Sequence, residues 1–243
     1  MSERKTVFIT GASRGIGHAT AMYFVEQGWR AVTCSRDPVP PQCARSDTHA
    51  HITVDLSKPE ELDIAIEGLD NVLAGDSLDA LVNNAGFSPK GPDGGRLGCL
   101  DGDLATWQDV FAINFFAPVF FARSLAPRLR NGGAIVNITS IAGHRVHPFA
   151  GSAYSTSKSA LLGLTRELAA DLALLDIRVN AVCPGEINTA ILSPGTEKLL
   201  SRIPMRRLGS PTEVAAVIFY LCSPQASYIT GAEIPVNGGQ DVY

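Results

Sequence analysis

Residues 6–10, Thr-Val-Phe-Ile-Thr, are a short apolar run that ends at a turn, Gly11-Ala12-Ser13-Arg14-Gly15-Ile16-Gly17, and leads directly into a helical pattern. A strand apolar on both faces is one covered on both faces, which is the habit of parallel sheets. Parallel strands cannot be joined by a hairpin; each needs a crossover, usually a helix. This one junction therefore asks for helices on both sides of a sheet.

The rest of the chain repeats the pattern. Apolar runs at 31–34, 51–54, 78–82, 134–138, 178–182 and 233–236 predict further strands. Helical patterns run over 16–27, closed by Gly28, and from Pro59, a favoured first helical residue. Others cover 107–129 (despite Pro118 and Pro127), 154–175 and 212–221. Residues 37–48, rich in Pro and polar types, read as loop. The expected fold class is α/β: a Rossmann-type doubly wound fold, with a seven-stranded parallel sheet and helices on both faces. No Pro/Gly/Ser-rich linker divides the 243 residues, so one domain over 1–243 is expected.

Charge and cysteine use narrow the function. A formal charge of −4 without a long basic run argues against nucleic acid as the main partner. Five scattered cysteines, an odd number, read as reduced thiols. The first strand starts within a few residues of Met1, and neither a signal peptide nor an apolar stretch of bilayer length is read. The expectation is a cytoplasmic protein without a membrane partner.

Tyr154 and Lys158 stand four apart in a helical pattern and so share a face. A free phenol, with a pKa of about 10, trades protons poorly near neutrality, and a nearby ammonium lowers that value. The pair falls within an ordered set: the glycine turn, Asp55-Leu56, Asn83-Asn84-Ala85-Gly86, Asn114, Ser140, Tyr154 with Lys158, and Pro184-Gly185. In that order, and nearly over the whole chain from Val7 to Val236-Asn237-Gly238-Gly239, the sequence resembles the short-chain dehydrogenase/reductase family.

The resemblance implies roles. Tyr154 would be the general acid or base, and Lys158 would hold the nicotinamide ribose and depress the phenol. Ser140 would bond the substrate oxygen, and Asn114 would hold a water leading from Lys158 to solvent. It also implies a dinucleotide site. Gly11, Gly15 and Gly17 would meet the pyrophosphate at a helix N-terminus, with Ser13, Arg14 and Ile16 of the same turn also binding cofactor. Asp55 and Leu56 would meet the adenine, Asn84 would lie where the chain passes the cofactor ribose, and Ala85 and Gly86 would belong to the same cofactor site. Tyr154, Lys158, Pro184, Gly185, Ile187 and Thr189 would complete the cofactor-binding set. A count from the glycines nominates Asp37 as an acidic ribose ligand, which would favour NAD. The family register instead nominates Ser35 and Arg36, which with Arg14 form an NADP pattern. NADP is expected, with NAD the lesser choice.

Two departures from the family stand out: one residue more than the commonest spacing between Ser140 and Tyr154, absorbed over 144–152, and a longer Pro/Gly-rich insert over 87–106. Phe87, Phe149, Ile191, Leu192 and Met205 suggest an apolar mouth, and 193–207 a lid. The pairs His49/His51 and His144/His147 lack a third ligand at convincing spacing, so no metal is expected. Phe111, Phe115, Phe116, Phe120 and Phe121 make a helix apolar on several sides; with the Tyr154 helix, family resemblance implies a homodimer or homotetramer. The leading function is an oxidoreductase passing hydride between NADP(H) and a small ketone or secondary alcohol. Two alternatives stand beside it: a 3-oxoacyl-(acyl-carrier-protein) reductase of fatty-acid synthesis, and a non-catalytic dinucleotide-binding scaffold or sensor. The first would need a basic dock, and the ends of the two interface helices, Leu129-Arg130-Asn131 and Leu174-Leu175-Asp176, are poorly basic.

Overall fold

In the computed structural model, residues 4–39, 47–91, 94–189 and 195–242 are described. They form β1 (Thr6–Thr10), β2 (Arg30–Ser35), β3 (His49–Thr53), β4 (Leu78–Asn83), β5 (Leu129–Ile138), β6 (Arg178–Pro184) and β7 (Glu233–Val236). The order across the sheet is β3-β2-β1-β4-β5-β6-β7, and every pair is parallel. The helices are α1 (Gly15–Glu26), α2 (Pro59–Leu73), α3 (Leu104–Phe111), α4 (Ala117–Leu125), α5 (Ser152–Leu172) and α6 (Pro211–Cys222).

Strand alternation sorts the core into two layers. On β1, Phe8 packs with Phe121, Leu125 and Leu69 beneath α2, α4 and α5. Its neighbours Val7 and Ile9 face the other way, toward Phe24 of α1 and Ile218 of α6. Phe24, Trp29 and Phe219 close that second layer edge to face, with centroids 5.1–6.0 Å apart.

The seven-stranded doubly wound sheet is as expected, and the differences lie at element ends. β3 starts at His49, and β5 runs back to Leu129 through an irregular register near Leu78 and Ala80. The 107–129 pattern is a composite helix. Between α3 and α4 the backbone widens into a π turn, Ala112–Phe116. Pro118 has no N–H for the carbonyl of Asn114, which favours this widening, and such turns recur at functional sites. Asn114 sits inside it. The expectation that no stretch reaches bilayer length also needs correcting: Leu104–Arg128 is long and apolar enough by length and composition. Its apolar content has another use, because Ala117, Phe121 and Leu125 bury against the sheet. Of the loop read over 37–48, residues 40–46 lie outside the described residues.

A buried amide ladder ties the sheet to α5. Asn83 donates to Asn137 Oδ1 at 2.8 Å, and Asn137 donates to Thr165 Oγ1 at 2.9 Å. This fixes the helix that carries Tyr154 relative to strand ends β4 and β5.

Candidate active site

The order of strands reverses between β1 and β4, and ligands of open α/β sheets bind outside the strand carboxyl ends at such a point. A cleft of about 520 Å³ opens there. It is lined by every residue expected at the site except Gly17 and Asn114.

Gly17 acts from behind. A Cβ there would lie 2.4 Å from the Gly11 carbonyl oxygen, and one on Gly11 would lie 2.6 Å from Ala85 Cα. These two glycines let the turn, α1 and the end of β4 approach one another. Gly15 differs: its φ of +61° demands glycine, while the nearest atoms to an added Cβ, on Thr189, are 3.5 Å away. Thr10 and Asn84 lock the arrangement. Thr10 Oγ1 accepts from the N–H groups of Asn84 and Ala85, and Asn84 Nδ2 donates to the Thr10 and Gly11 carbonyls. The α1 N-terminus carries no side-chain cap and no acid in its first turn. Uncapped N–H donors at the wall of a cleft suit a pyrophosphate, so the residues fit a dinucleotide.

At the far end of β2, Ser35 Oγ donates to the Asp37 carbonyl at 2.7 Å and meets His51 Nε2 at 3.3 Å. His51 and His49 also share Thr33 Oγ1, at 2.8 and 3.0 Å. Burial lowers the His51 pKa, opposed by a bond to Asp37, with the neighbouring His49 adding to the drop. Arg14 and Arg36 each reach Asp37, at 3.8 and 3.9 Å, from exposed positions. Asp55 feels desolvation pushing its pKa up, yet it is held low by the Ser57 N–H and hydroxyl.

The catalytic candidates converge. Lys158 is 3% exposed and donates from Nζ to the Ile138 carbonyl at 2.6 Å. Burial pushes its pKa down to about 8. Its Nζ lies 5.7 Å from the centre of the Tyr154 ring. Ser140 caps the short turn Ile141–Gly143 through the Ala142 N–H and also hydrogen-bonds the Tyr154 hydroxyl. The expected depression of the phenol by Lys158 is overturned here. Burial dominates and raises the Tyr154 pKa, with the Ser140 bond opposing it and the charge of Glu186 adding to the rise.

Asn114 is fully buried just behind the cleft. Its Oδ1 accepts from the Phe87 N–H, while Nδ2 donates to the Phe87 carbonyl and Ser157 Oγ. Both amide donors are thus spent on holding the chain after Gly86 against α5. Only a lone pair on Oδ1 remains for the water expected there.

Sequence reasoning missed a second set of groups. His147 and Glu186, each 8% exposed, are joined by a 2.7 Å hydrogen bond from His147 Nε2 to Glu186 Oε1. Lys90 donates to the Phe149 carbonyl at 2.6 Å. All three line the cleft beside Tyr154, with Phe87 and Phe149. The apolar mouth is therefore corrected to a mixed one. Met205 packs instead near Gly238, and Ile191 and Leu192 lie outside the described residues. No local spacing announces the trio, since its members come from three separate loops. Both departures from the family spacing meet here, because Lys90 lies in the insert and Phe149 in the lengthened loop. The insert also docks on α5, with the Leu97 carbonyl accepting from Ser152 N and Arg96 bonding Ser152 Oγ.

The reading of the histidine pairs needs a correction too. His144, Cys183 and Glu233 bring ligand atoms within 4.8 Å of one another. What joins them is a hydrogen-bonded network: Glu233 accepts from Thr139 at 2.6 Å and pairs with His144 at 2.7 Å. Burial raises the Cys183 thiol far above its ordinary range, which disfavours a thiolate ligand. Cys34, Cys99, Cys183 and Cys222 are all free thiols.

Comparison with known proteins decides the family. The model described as enoyl-(acyl carrier protein) reductase matches residues 11–241. The chain belongs to the short-chain dehydrogenase/reductase family. It is 54% identical to Protein FixR of Bradyrhizobium diazoefficiens, over 98% of this chain and 87% of that one. It is 34% identical to the 3-oxoacyl-[acyl-carrier-protein] reductase FabG of Aquifex aeolicus, over 97% of this chain and 96% of that one. A crystal structure of a short-chain dehydrogenase/reductase from Brucella ovis, in complex with a partially ordered NAD, is 46% identical. It superposes with a TM-score of 0.81 over 97% of this chain and all of that one. As a short-chain dehydrogenase/reductase, this protein is an oxidoreductase of a family that works with NAD or NADP.

Proposed function

We propose that this oxidoreductase interconverts a ketone and a secondary alcohol of small size, with NADP(H) as its preferred cofactor and Tyr154 as general acid or base. The observation that carries this is the meeting of the Tyr154 hydroxyl, Ser140 and the buried Lys158 in the same cleft as the uncapped N-terminus of α1.

When bound, the nicotinamide supplies or accepts the hydride. The chain supplies the rest. Ser140 and Tyr154 hydrogen-bond the substrate oxygen, and Tyr154 moves its proton. A raised phenol pKa keeps that proton in place for reduction. Lys158 sits in a desolvated position where a ribose hydroxyl or a phenolate is a better partner than water. Asn114 positions: its grip on Phe87 and Ser157 holds the cleft wall against α5.

The preference for NADP(H) rests on charge. Ser35 brings no acid to the end of β2, and Arg14 and Arg36 stand beside it. Their contacts with Asp37 are long and exposed, hence weak, and free to be exchanged for a phosphate. The carrier-protein alternative finds less support. Arg128 is bound at 2.8 and 2.7 Å by Asp70, and Arg130 at 2.8 Å by Asp79, so basic groups beside the Leu129 end are already paired. The test is Tyr154→Phe: it should retain cofactor binding and lose turnover on ketones and secondary alcohols. Wild-type turnover in that variant would remove Tyr154 from the chemistry.

A further inference from the structure

Resting on the oxidoreductase reading, we infer that the substrate is a neutral polyhydroxylated compound, a polyol or the corresponding ketose. Its hydroxyls beside the reacting carbon would be received by Glu186 and Lys90.

The argument starts from how Glu186 is held. Its N–H donates to Gln240 Oε1 at 3.1 Å, and the preceding Gly185 leaves no room for a Cβ, which would lie 2.2 Å from the same oxygen. The side chain is fixed by His147. Nδ1 of His147 accepts from the N–H groups of Phe149 and Ala150, at 3.2 and 3.3 Å. The ring proton is therefore on Nε2, which donates to Glu186 Oε1. His147 is thus a neutral positioning residue. Among the described residues, Glu186 Oε2 has no hydrogen bond, and Glu186 lines the cleft.

Lys90 is the counterpart. It is half-buried and lines the same cleft, and one of its three donors is committed to the Phe149 carbonyl. Desolvation lowers its pKa and the charge of Glu186 opposes that drop, so the two side chains lie within electrostatic reach. Glu186 is also within reach of Tyr154.

An ammonium, a carboxylate and a neutral imidazole sum to no net charge. A substrate anion would gain from Lys90 and be repelled by Glu186, and a cation the reverse. A plain alkyl ketone would cover both groups without giving Glu186 Oε2 or the two remaining Lys90 donors a partner, which is unfavourable. A hydroxyl both donates and accepts. Adjacent hydroxyls can give a proton to Glu186 Oε2 and an oxygen to Lys90 Nζ at once. Phe87 and Phe149 then offer apolar surface to the C–H faces of the same molecule.

The experiment follows oxidation of ribitol, xylitol and sorbitol against 2-pentanol and 2-hexanol, with NADP⁺ and with NAD⁺. It is run on wild type, Glu186→Gln and Lys90→Met, with thermal midpoints to confirm folding. The same polyols are titrated by calorimetry into enzyme saturated with oxidised cofactor. At least one polyol should exceed the plain alcohols in kcat/KM by roughly tenfold, and each variant should raise its KM by roughly tenfold while moving the plain-alcohol KM less than about twofold. Preference for the plain alcohols, or an unchanged polyol KM in both variants, overturns the inference and leaves the oxidoreductase reading standing. If nothing is oxidised, the titration decides. Absence of polyol binding overturns the substrate class, whereas polyol binding without turnover points the failure at the chemistry assigned to Tyr154.

Discussion

The two ends of the cleft are built on different principles. At the dinucleotide end, backbone does the work: three glycines, an uncapped helix N-terminus, and the Thr10–Asn84 clamp, all within or next to β1, α1 and β4. At the end beside Tyr154, side chains from three loops converge, with Lys90, His147 and Glu186 up to 96 positions apart in sequence. Backbone geometry is written in short motifs, while convergence of side chains depends on how loops cross. Substitutions at the second end should therefore leave the first undisturbed.

Tyr154 stands where the two ends meet, and its loss gives the largest expected effect. Tyr154→Phe should lower kcat by about 10²–10⁴-fold, the range general acid–base catalysis commonly supplies, with cofactor affinity nearly unchanged in fluorescence titration. Ser140→Ala should also lower kcat, and it should in addition loosen the turn Ile141–Gly143 that it caps.

A charge change at the dinucleotide end comes next. Arg36→Ala should weaken NADPH binding by roughly ten- to a hundredfold, the value of one charge-assisted contact, and leave NADH binding almost unaltered. Calorimetry with both cofactors reads this directly. Equal losses for the two would mean that Arg36 does not meet the adenosine phosphate. Substitutions among Lys90, His147 and Glu186 should leave both titrations untouched.

The glycines offer a subtler contrast. Gly17→Ala forces a Cβ to 2.4 Å from the Gly11 carbonyl oxygen. It should cost about 1–3 kcal/mol as overpacking, or about 2–4 °C of Tm per kcal/mol for a chain of this size. Gly15→Ala has room but must hold φ near +61°. It should cost about 1–2 kcal/mol and show its main effect in cofactor affinity, since Gly15 lines the cleft and Gly17 does not. Thermal denaturation with and without NADPH separates the two.

The smallest effect is one of pH. Folding pushes Lys158 from its ordinary 10.5 down to about 8, so between those values the unfolded chain binds a proton that the folded one lacks. Stability should therefore rise as pH climbs from about 8 toward 10.5, the burial penalty being complete below that window. Urea denaturation of wild type and Lys158→Met at pH 7.5 and 9.5 checks it. The variant should lack the slope.

Much of this was legible in the residues. Continuous apolar runs separated by helical periodicity specify a doubly wound sheet, because a strand buried on both faces admits no polar alternation. Gly11, Gly15 and Gly17 mark a turn of special backbone. The pair Tyr154 and Lys158 is readable because four residues span about one helical turn. These features share a cause: each is decided within a few residues, by φ/ψ preference or by helix and strand period.

Other features were decided only when the chain folded. The π turn around Asn114, which Pro118 favours, is not marked by the helical period of the sequence. The apolar content of Leu104–Arg128 is satisfied by a layer of the core. The phenol of Tyr154 is raised rather than lowered, because desolvation depends on everything packed around it. Lys90, His147 and Glu186 became one site only through loop crossings and the wedge of Gln240 behind Gly185. Local sequence determined the backbone and the pairing of Tyr154 with Lys158; tertiary structure decided the electrostatics and the Lys90–His147–Glu186 end of the cleft, because charge and burial are properties of neighbours brought from far along the chain.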